Sequence, residues 1–325
     1  MALTNFPYGV SSFGVPMVGG GIPMTGTSVG RYIFVDATYG SDGNDGMSWD
    51  TAVKTVAQAY SMATTNHDDV IVLSTNAVHT ISSILDISKS RVHFVGDVYG
   101  RQYGQRARLY MGVTTAVTDI HMVRNTGVGN TFTGIKFWSD NTLTQNTSCV
   151  GEGGEYTVYR NCEFYDSTRL TSDTHAEVLL NGDSTQFYNC TFGSLADSVT
   201  GDKVRPAVIT TLGGVAGGAG TSRDVLFDGC RFWKKAGGTT TAMVKILADA
   251  EIERVMEFHD CQFVANILGA TPAVAIASAA SLTAGQVLLT GDTCGFDVTK
   301  LATATGIISC LNLKVATGTI GVQTT

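Results

Sequence analysis

The chain is poor in charged residues, and positive charge is scarcer than negative. Of its 325 residues only 15% are Asp, Glu, Lys or Arg, and the formal net charge is −7. Proteins that bind the phosphate backbone of nucleic acids use clustered Lys and Arg to displace counterions. No such cluster occurs along this sequence. We therefore expect no nucleic-acid partner.

Long apolar runs and metal-type cysteine pairs are missing as well. The least polar stretch, TPAVAIASAASLTAGQVLL, is interrupted by Ser, Thr, Gly and Gln and falls short of the roughly 18 to 20 apolar residues that cross a bilayer. The segment before Val29 has no Lys or Arg and no continuous apolar core, unlike a secretion signal. The seven cysteines include no C-x-x-C pair, which favours reduced thiols. We expect neither a membrane segment nor signal-directed export.

What the sequence does have is a repeat. Two apolar residues separated by one recur at Ile135/Phe137, Cys162/Phe164, Cys190/Phe192, Cys230/Phe232, Cys261/Phe263 and Cys294/Phe296. A second series runs between them at Phe94, Met122, Val150, Val178, Val208, Val244, Val274 and Ile308. Two short strands per unit, separated by insertions of unequal length, are typical of a solenoid. The 38 glycines and the low charge also favour an all-β protein.

The residue before each Cys-x-Phe pair predicts a bend between two strands. These residues are Gly134, Asn161, Asn189, Gly229 and Asp260, with Thr293 as the exception. Gly, Asn and Asp tolerate the left-handed backbone that a one-residue bend requires. Each turn of the coil is therefore predicted as strand, bend, strand, loop, strand.

The cysteines that follow these bends have a structural and a chemical interpretation. As structure, Cys162, Cys190, Cys230 and Cys261 form an internal stack beside a stack of Phe164, Phe192, Phe232 and Phe263, with about 4.8 Å between rungs. As chemistry, the cysteines bind a metal, but ligands one rung apart do not form the tetrahedron that zinc prefers. We favour the structural stack and expect no metal. His93 and His121, also 28 residues apart, are expected to stack in the same way.

Residues 31–64 predict a strand, an acidic turn-rich loop and an amphipathic helix. The apolar face of this helix comprises Val53, Val56, Ala57, Tyr60 and Ala63, with Asp50 as its N-cap. Such a helix would cover the open N-terminal end of the coil. In the loop, Asp36, Asp42 and Asp45 could hold a calcium ion or form plain Asp-Gly turns, and turns are the commoner outcome.

The segment VDATYGSDGNDGMSW, which begins at Val35, resembles the opening of right-handed parallel β-helices of the pectate-lyase-like type. The resemblance implies that fold for residues 33 to about 310. The repeat predicts about nine rungs, and the composition of the chain before them predicts the capping helix and an extended N-terminal arm. The resemblance carries no chemistry by itself, because fold does not imply function.

Enzymes of that family act on polysaccharides, so catalytic groups must be sought among the acidic and basic residues. A lyase needs a calcium-binding acid and a cationic base, and a hydrolase needs two flanking carboxylates. None of the candidate residues recurs in register on a neighbouring rung. The candidates are Asp166, Asp173, Glu177, Asp183, Asp197, Asp202, Lys203 and Arg205. We predict a protein without catalytic residues or cofactor, with lyase or hydrolase activity as the minority hypothesis.

The first thirty residues predict an anchoring arm. The segment is uncharged and rich in Gly and Pro, and its large apolar residues are candidate partner-binding groups: Phe6, Tyr8, Phe13, Val15 and Met17. Its start, TNFPYGVSSFGVP, is similar to the leader of tailed-bacteriophage virion proteins. That resemblance implies a location on the virion surface after synthesis in the host cytoplasm.

These observations give a division into an arm (1–30), a capping region (31–64) and a β-helix (65–325). The leading hypothesis is a capsid decoration protein, a homotrimer whose arms bind the major capsid protein or another virion protein. The alternative is a tailspike or fibre that binds, or cleaves, a host surface polysaccharide.

Overall fold

The computed structural model of the protein describes residues 10–12, 15–17, 30–97, 107–112, 121–140, 148–166, 176–194, 208–210, 215, 218, 220–234, 242–248, 251–265, 274–278, 282, 285–296, 300–303 and 308–310. Within these residues the chain forms a right-handed parallel β-helix made of three sheets. Each turn of the coil adds one strand to each sheet, and every pairing within the three sheets is parallel. The all-β prediction is therefore confirmed.

Sheet 1 has ten strands: β3 Tyr32–Val35, β4 Asp69–Leu73, β7 Val92–Gly96, β10 Thr131–Thr133, β13 Val158–Arg160, β16 Gln186–Tyr188, β19 Val225–Asp228, β22 Val255–His259, β25 Gln286–Thr290 and β28 Ile308–Cys310. Sheet 2 has eight: β5 Val78–Thr80, β8 Ala107–Met111, β11 Ile135–Ser139, β14 Glu163–Asp166, β17 Thr191–Ser194, β20 Arg231–Lys234, β23 Gln262–Ala265 and β26 Cys294–Phe296. Sheet 3 also has eight: β6 Leu85–Ile87, β9 His121–Asn125, β12 Ser148–Glu152, β15 Ala176–Leu180, β18 Val208–Thr210, β21 Ala242–Ile246, β24 Val274–Ser278 and β27 Lys300–Thr303. From β4 onward sheet 1 contributes nine strands, the predicted number of rungs.

The corner between sheets 1 and 2 is a column of left-handed residues. Gly134, Asn161, Asn189, Gly229 and Asp260 all have positive φ, between 50° and 68°, as the sequence predicts. In the last rung Gly291, at φ 61°, takes this conformation instead of Thr293. A second left-handed column, which sequence reasoning missed, follows sheet 3 and includes Arg91, Gly129, Tyr156, Ser184 and Asp224.

Two stacks of aromatic rings fill the interior. The stack on sheet 1 comprises Phe94, Phe132, Tyr159, Phe187, Phe227 and Phe258, with consecutive ring centroids 4.8–5.1 Å apart. The stack on sheet 2 comprises Phe137, Phe164, Phe192, Phe232 and Phe263, with spacings of 4.7–5.1 Å. Rings of the two stacks meet edge to face, as between Phe187 and Phe192. This geometry is the favourable one for aromatic pairs.

The predicted cysteines lie beside these rings in successive rungs, and all four are buried. Each thiol donates to the carbonyl oxygen of the aromatic residue one rung earlier, as from Cys230 Sγ to Phe187 O at 3.3 Å and from Cys261 Sγ to Phe227 O at 3.3 Å. The column is therefore a row of weak hydrogen-bond donors as well as of small apolar groups. The six cysteines with described side chains are free thiols.

The last rung departs from the predicted register. Cys294 pairs with Gln262 and Phe296 with Val264, so the expected Cys294/Phe296 pair is shifted by one residue. Thr293 occupies the cysteine position, because its Oγ1 donates to Phe258 O at 2.9 Å. A hydroxyl is the stronger donor, and it preserves the same contact.

The second predicted series is right only in its middle. Val150, Val178, Val208 and Val244 align in sheet 3. Phe94 and Ile308 instead belong to sheet 1, Val123 replaces Met122, and Ile276 replaces Val274. The expected stacking of His93 on His121 is wrong for the same reason, since β7 and β9 lie in different sheets. Equal spacing along the chain does not distinguish adjacent sheets when a connection changes length.

A short helix closes the N-terminal end, but it begins later than predicted. Helix α1 spans Val56–Met62, and its N-cap is Thr55, whose side chain accepts from Gln58 N, so Asp50 is not the cap. Asp42 fixes Thr55 by accepting from its N–H and hydroxyl. The residues that α1 buries in the core are Val56 and Ala59, whereas the predicted Ala57 is exposed.

The N-terminal segment is not part of the coil. Strands β1 (Val10–Ser12) and β2 (Val15–Met17) pair antiparallel in a two-stranded ribbon of their own. Part of the segment predicted as an extended arm is therefore paired with itself. The positions of Phe6, Tyr8 and Phe13 fall outside the described residues.

Candidate functional site

The outer face of sheet 2 carries a row of aromatic side chains along the coil. Because side chains alternate across a strand, the residue after each inward residue of the aromatic stack points outward. In successive rungs these outward positions hold Tyr110, Trp138, Tyr165, Gly193, Trp233 and Val264. We call this set the aromatic row. Rungs lie about 4.8 Å apart, so the row forms a strip that follows the long axis.

Rings of the aromatic row contact one another. The ring centroids of Tyr110 and Trp138 are 4.7 Å apart and tilted, and those of Trp138 and Tyr165 are 6.4 Å apart. These three side chains are half-buried, so part of each ring surface reaches solvent. Aromatic surface left on a sheet exterior is a common mark of a binding surface.

A polar column runs beside the aromatic row. In register it contains Val78, Arg108, Lys136, Glu163, Thr191, Arg231 and Gln262. Lys136 donates to Glu163 at 2.8 Å, and its ammonium lies 4.8 Å from the ring centroid of Tyr165. The guanidinium of Arg231 lies 5.9 Å from the ring centroid of Trp233. Aromatic faces and hydrogen-bond donors are thus presented side by side.

The outer face of sheet 1 is different in composition. Its column Arg160, Tyr188, Asp228, His259 and Thr290 contains one aromatic ring besides His259, and Arg160 covers that Tyr188 ring at 4.4 Å. No comparable aromatic strip is found there among the described residues. Sheet 2 is therefore the face that stands out.

A buried carboxyl group inside the coil is the other unusual feature. Glu152 is fully buried and accepts from Asn125 Nδ2 at 2.9 Å, from Gly154 N at 2.8 Å and from Tyr159 Oη at 2.5 Å. Burial raises its pKa from 4.5 to about 7, against the opposing effect of these hydrogen bonds. Perturbed carboxyls often mark active sites. This one is closed off from solvent and held by buried neighbours, so we assign the Glu152 cluster (Asn125, Glu152, Tyr159) a structural role.

The structure does not gather the candidate catalytic residues that it describes. Asp183, in the turn after sheet 3, lies 3.4 Å from Arg223, and Glu177 is buried in β15. The side chain of Asp166 is not among those described, and Asp173, Asp197, Asp202, Lys203 and Arg205 lie outside the described residues. In the described part of the chain, no three His, Cys, Asp or Glu side chains come close enough to share a metal ion.

The acidic loop is held together by turns. Asp36 accepts from the N–H groups of Thr38 and Tyr39, and these bonds lower its pKa although burial, the largest effect, acts to raise it. Asp42 accepts from Lys54 and Thr55. Asp45 accepts from Met47, and hydrogen bonding lowers its pKa. Asp36 and Asp45 thus accept within local turns, whereas Asp42 joins the loop to the start of α1.

Comparisons with known proteins identify the fold alone. A pectate lyase, Pel9A, matches with a TM-score of 0.57 and 13% identity over 87% of this chain and 78% of that chain. A pectin methylesterase solved in complex with a hexasaccharide matches with a TM-score of 0.52 and 12% identity, over 88% and 91%. ORF18 of Geobacillus virus E2 aligns at a TM-score of 0.32 and 12% identity over 79% and 58%, too weak a likeness for any argument.

No family model and no curated protein matches the chain. No helix in the described residues has the length and apolar character of a bilayer span.

Proposed function

We propose that this protein binds an extended polysaccharide along the outer face of sheet 2. The observation that carries the proposal is the aromatic row, in which Tyr110, Trp138 and Tyr165 lie on consecutive rungs and Trp233 follows after a rung with Gly193. The faces of sugar rings are apolar and stack on aromatic rings, and their hydroxyls bind the adjacent polar side chains. A strip with a repeat of one rung suits a linear chain of sugars.

The fold supports this assignment without proving it. The similar structures include a pectate lyase and a pectin methylesterase solved with a hexasaccharide. We propose binding without cleavage, because the candidate acids described here do not form a pair. The tailspike or fibre hypothesis is therefore the one that the geometry favours.

Replacement of Trp138 by Ala tests the proposal. The change removes a stacking surface from the centre of the row, and we expect the affinity for the bound polysaccharide to fall roughly tenfold. Binding is measured by biolayer interferometry on ligands selected from an array of bacterial surface polysaccharides. Tyr188→Ala, on the outer face of sheet 1, is the matched control and should bind like the wild type.

The same samples are assayed for reducing and unsaturated sugar ends. The proposal would be contradicted if Tyr188→Ala lost binding while Trp138→Ala kept it. It would also be contradicted if the wild-type protein bound no polysaccharide. Release of sugar ends would show that the face also supports catalysis.

A second candidate function, capsid decoration by a homotrimer on a tailed-phage particle, is favoured by a different observation. The N-terminal ribbon pairs with itself and not with the coil, among the described strands. The loop after β3 exposes Tyr39 by 85%, Met47 by 53% and Trp49 by 40%. Exposed apolar groups on this loop and an uncharged, apolar N-terminal segment suit attachment to a virion protein.

Deletion of residues 1–29 tests this second candidate. The β-helix should keep its circular dichroism and melting temperature, because the ribbon adds no strand to its sheets. Sedimentation with purified phage particles should be lost if the arm is the anchor. Light scattering of both proteins checks whether the assembly is trimeric. Retention of full particle binding after deletion would exclude the arm as the anchor.

A further inference from the structure

Arg108 is presented on the polar column with no acidic partner among the described residues. It lies on the outer face of β8, between Val78 and Lys136 of the adjacent rungs. Within the described part of the chain it forms no ion pair, and its Nε is buried without a hydrogen-bond acceptor. A buried donor without an acceptor is unfavourable and is rare in folded proteins.

The charged groups around Arg108 do not supply the missing acceptor. Lys136, directly opposite on the next strand, carries the same charge, and like charges at opposed positions of a sheet repel. The nearby carboxylates are already engaged, since Glu163 accepts from Lys136 and Asp140 from Tyr110. Lys136 therefore has a partner on this face, whereas Arg108 has none among the described residues.

A second unsatisfied donor lies on the same face. Trp138 Nε1 is buried and has no hydrogen-bond acceptor. Its ring packs at 4.7 Å from that of Tyr110, which follows Arg108 by two residues on β8. One end of the aromatic row thus combines ring surface with a partly exposed arginine side chain that has no acceptor among the described residues.

We infer that this end of the row binds an anionic group of the polysaccharide, most directly the carboxylate of an acidic sugar. The inference rests on the proposed function and names its ligand class. A guanidinium matches the two oxygens of a carboxylate in a fork, which a lysine does not. The sugar ring that carries the acid would lie against Tyr110 and Trp138. Because the whole chain has a net charge of −7, the attraction is local.

The test compares matched acidic and neutral polymers. The probes are alginate with carboxyl-reduced alginate, and dextran sulfate with unmodified dextran, each measured on full-length protein by biolayer interferometry at low and high salt. We expect wild type to prefer alginate to its reduced form. Arg108→Gln should weaken alginate binding roughly tenfold, as expected for loss of a charged hydrogen bond, and leave the neutral polymers unchanged. Arg160→Gln, on sheet 1, is the control.

The outcomes separate the two proposals. If Trp138→Ala weakens every polymer equally and Arg108→Gln weakens none, the binding face stands and the anion site is wrong. If Arg108→Gln reduces binding of dextran sulfate and of alginate alike, the site recognises anionic groups in general. This outcome supports the inference. If neither alginate nor dextran sulfate binds, the anion site is overturned, whereas the proposed function is overturned only if no polysaccharide of the array binds. Melting temperatures of all variants verify folding.

Discussion

At the scale of single residues, several polar side chains inside the coil are held by hydrogen bonds within their rung or to the rung before. Cysteine and threonine at the corner of sheets 1 and 2 both donate to the carbonyl of the aromatic residue one rung earlier, as Cys230 and Thr293 show. Glu152 is the extreme case, because a carboxyl group is fully buried. The contribution of Glu152 to the free energy of unfolding therefore depends on whether its carboxyl group is protonated.

Glu152 predicts a pH dependence of stability. Its pKa is raised in the folded protein to about 7 from 4.5, so the protonated group is favoured by folding. This stabilisation is complete below about pH 4.5 and is lost as the pH rises through 7, with a magnitude on the order of 3 kcal/mol. Glu152→Gln should therefore narrow the difference in free energy of unfolding between pH 5 and pH 8.

Urea denaturation at the two pH values measures this effect. Glu163→Gln, on the outer face, is the control and should keep the wild-type pH dependence. An equal pH dependence in wild type and Glu152→Gln would show that other groups cause it.

At the scale of elements, the bends determine the register of the strands. Asn189 has φ 52°, and its N–H donates to Asp228 O at 2.8 Å. A Cβ on Gly229 would approach Asn189 Oδ1 to 2.7 Å, so this position leaves little room for a side chain. Each bend is thus fitted to its neighbours.

Asn189→Ala should lower the free energy of unfolding by about 1–2 kcal/mol, because alanine is strained in the left-handed region. Asn189→Gly should cost less, since glycine adopts this backbone freely. Both are measured by urea denaturation, with Gln186→Ala in the preceding strand as a control outside the bend. Equal losses for Ala and Gly would mean that the asparagine side chain, and not its backbone, matters.

These bends also explain how far the sequence predicts the fold. From Asn161 to Asp260 a Cys-x-Phe pair directly follows each bend, so its register is fixed within two residues. The second series is farther from any bend and lost its register at β7 and β9, where a longer connection separates sheets 1 and 2. The left-handed column at Arg91, Tyr156 and Ser184 carried no signal, because such residues rarely adopt this backbone.

The candidate site was missed for a simpler reason. Tyr110, Trp138, Tyr165 and Trp233 each follow an inward residue by one position, and the pattern is readable once the inward residue is known. Sequence reasoning searched for carboxylates instead. Unsatisfied donors such as Trp138 Nε1 require the packed structure, because burial is a property of the whole fold.

At the scale of the whole molecule, the coil has one kind of connection of nearly constant length and another whose length varies. From β10 to β23 the corner between sheets 1 and 2 takes one or two residues, whereas the connections from sheet 2 to sheet 3 differ widely in length. Inserting four glycine and serine residues between β17 and β18 should change the melting temperature little, since loop entropy grows slowly with length.

The same insertion between Tyr188 and Thr191 should prevent folding or lower the melting temperature strongly, because it breaks the stacked corner. Circular dichroism melts of the two variants provide the comparison. Similar destabilisation by both insertions would show that the variable connections are also required.

The unequal tolerance of the two corners has an evolutionary consequence. Mutation can lengthen, shorten or replace the segments that leave sheet 2 while the stacked rings and bends stay as they are. Those segments begin at the strand ends next to the aromatic row, so changes in them alter what that face meets. A lineage could thereby shift from one ligand to another by trading surface segments, without having to evolve a new scaffold.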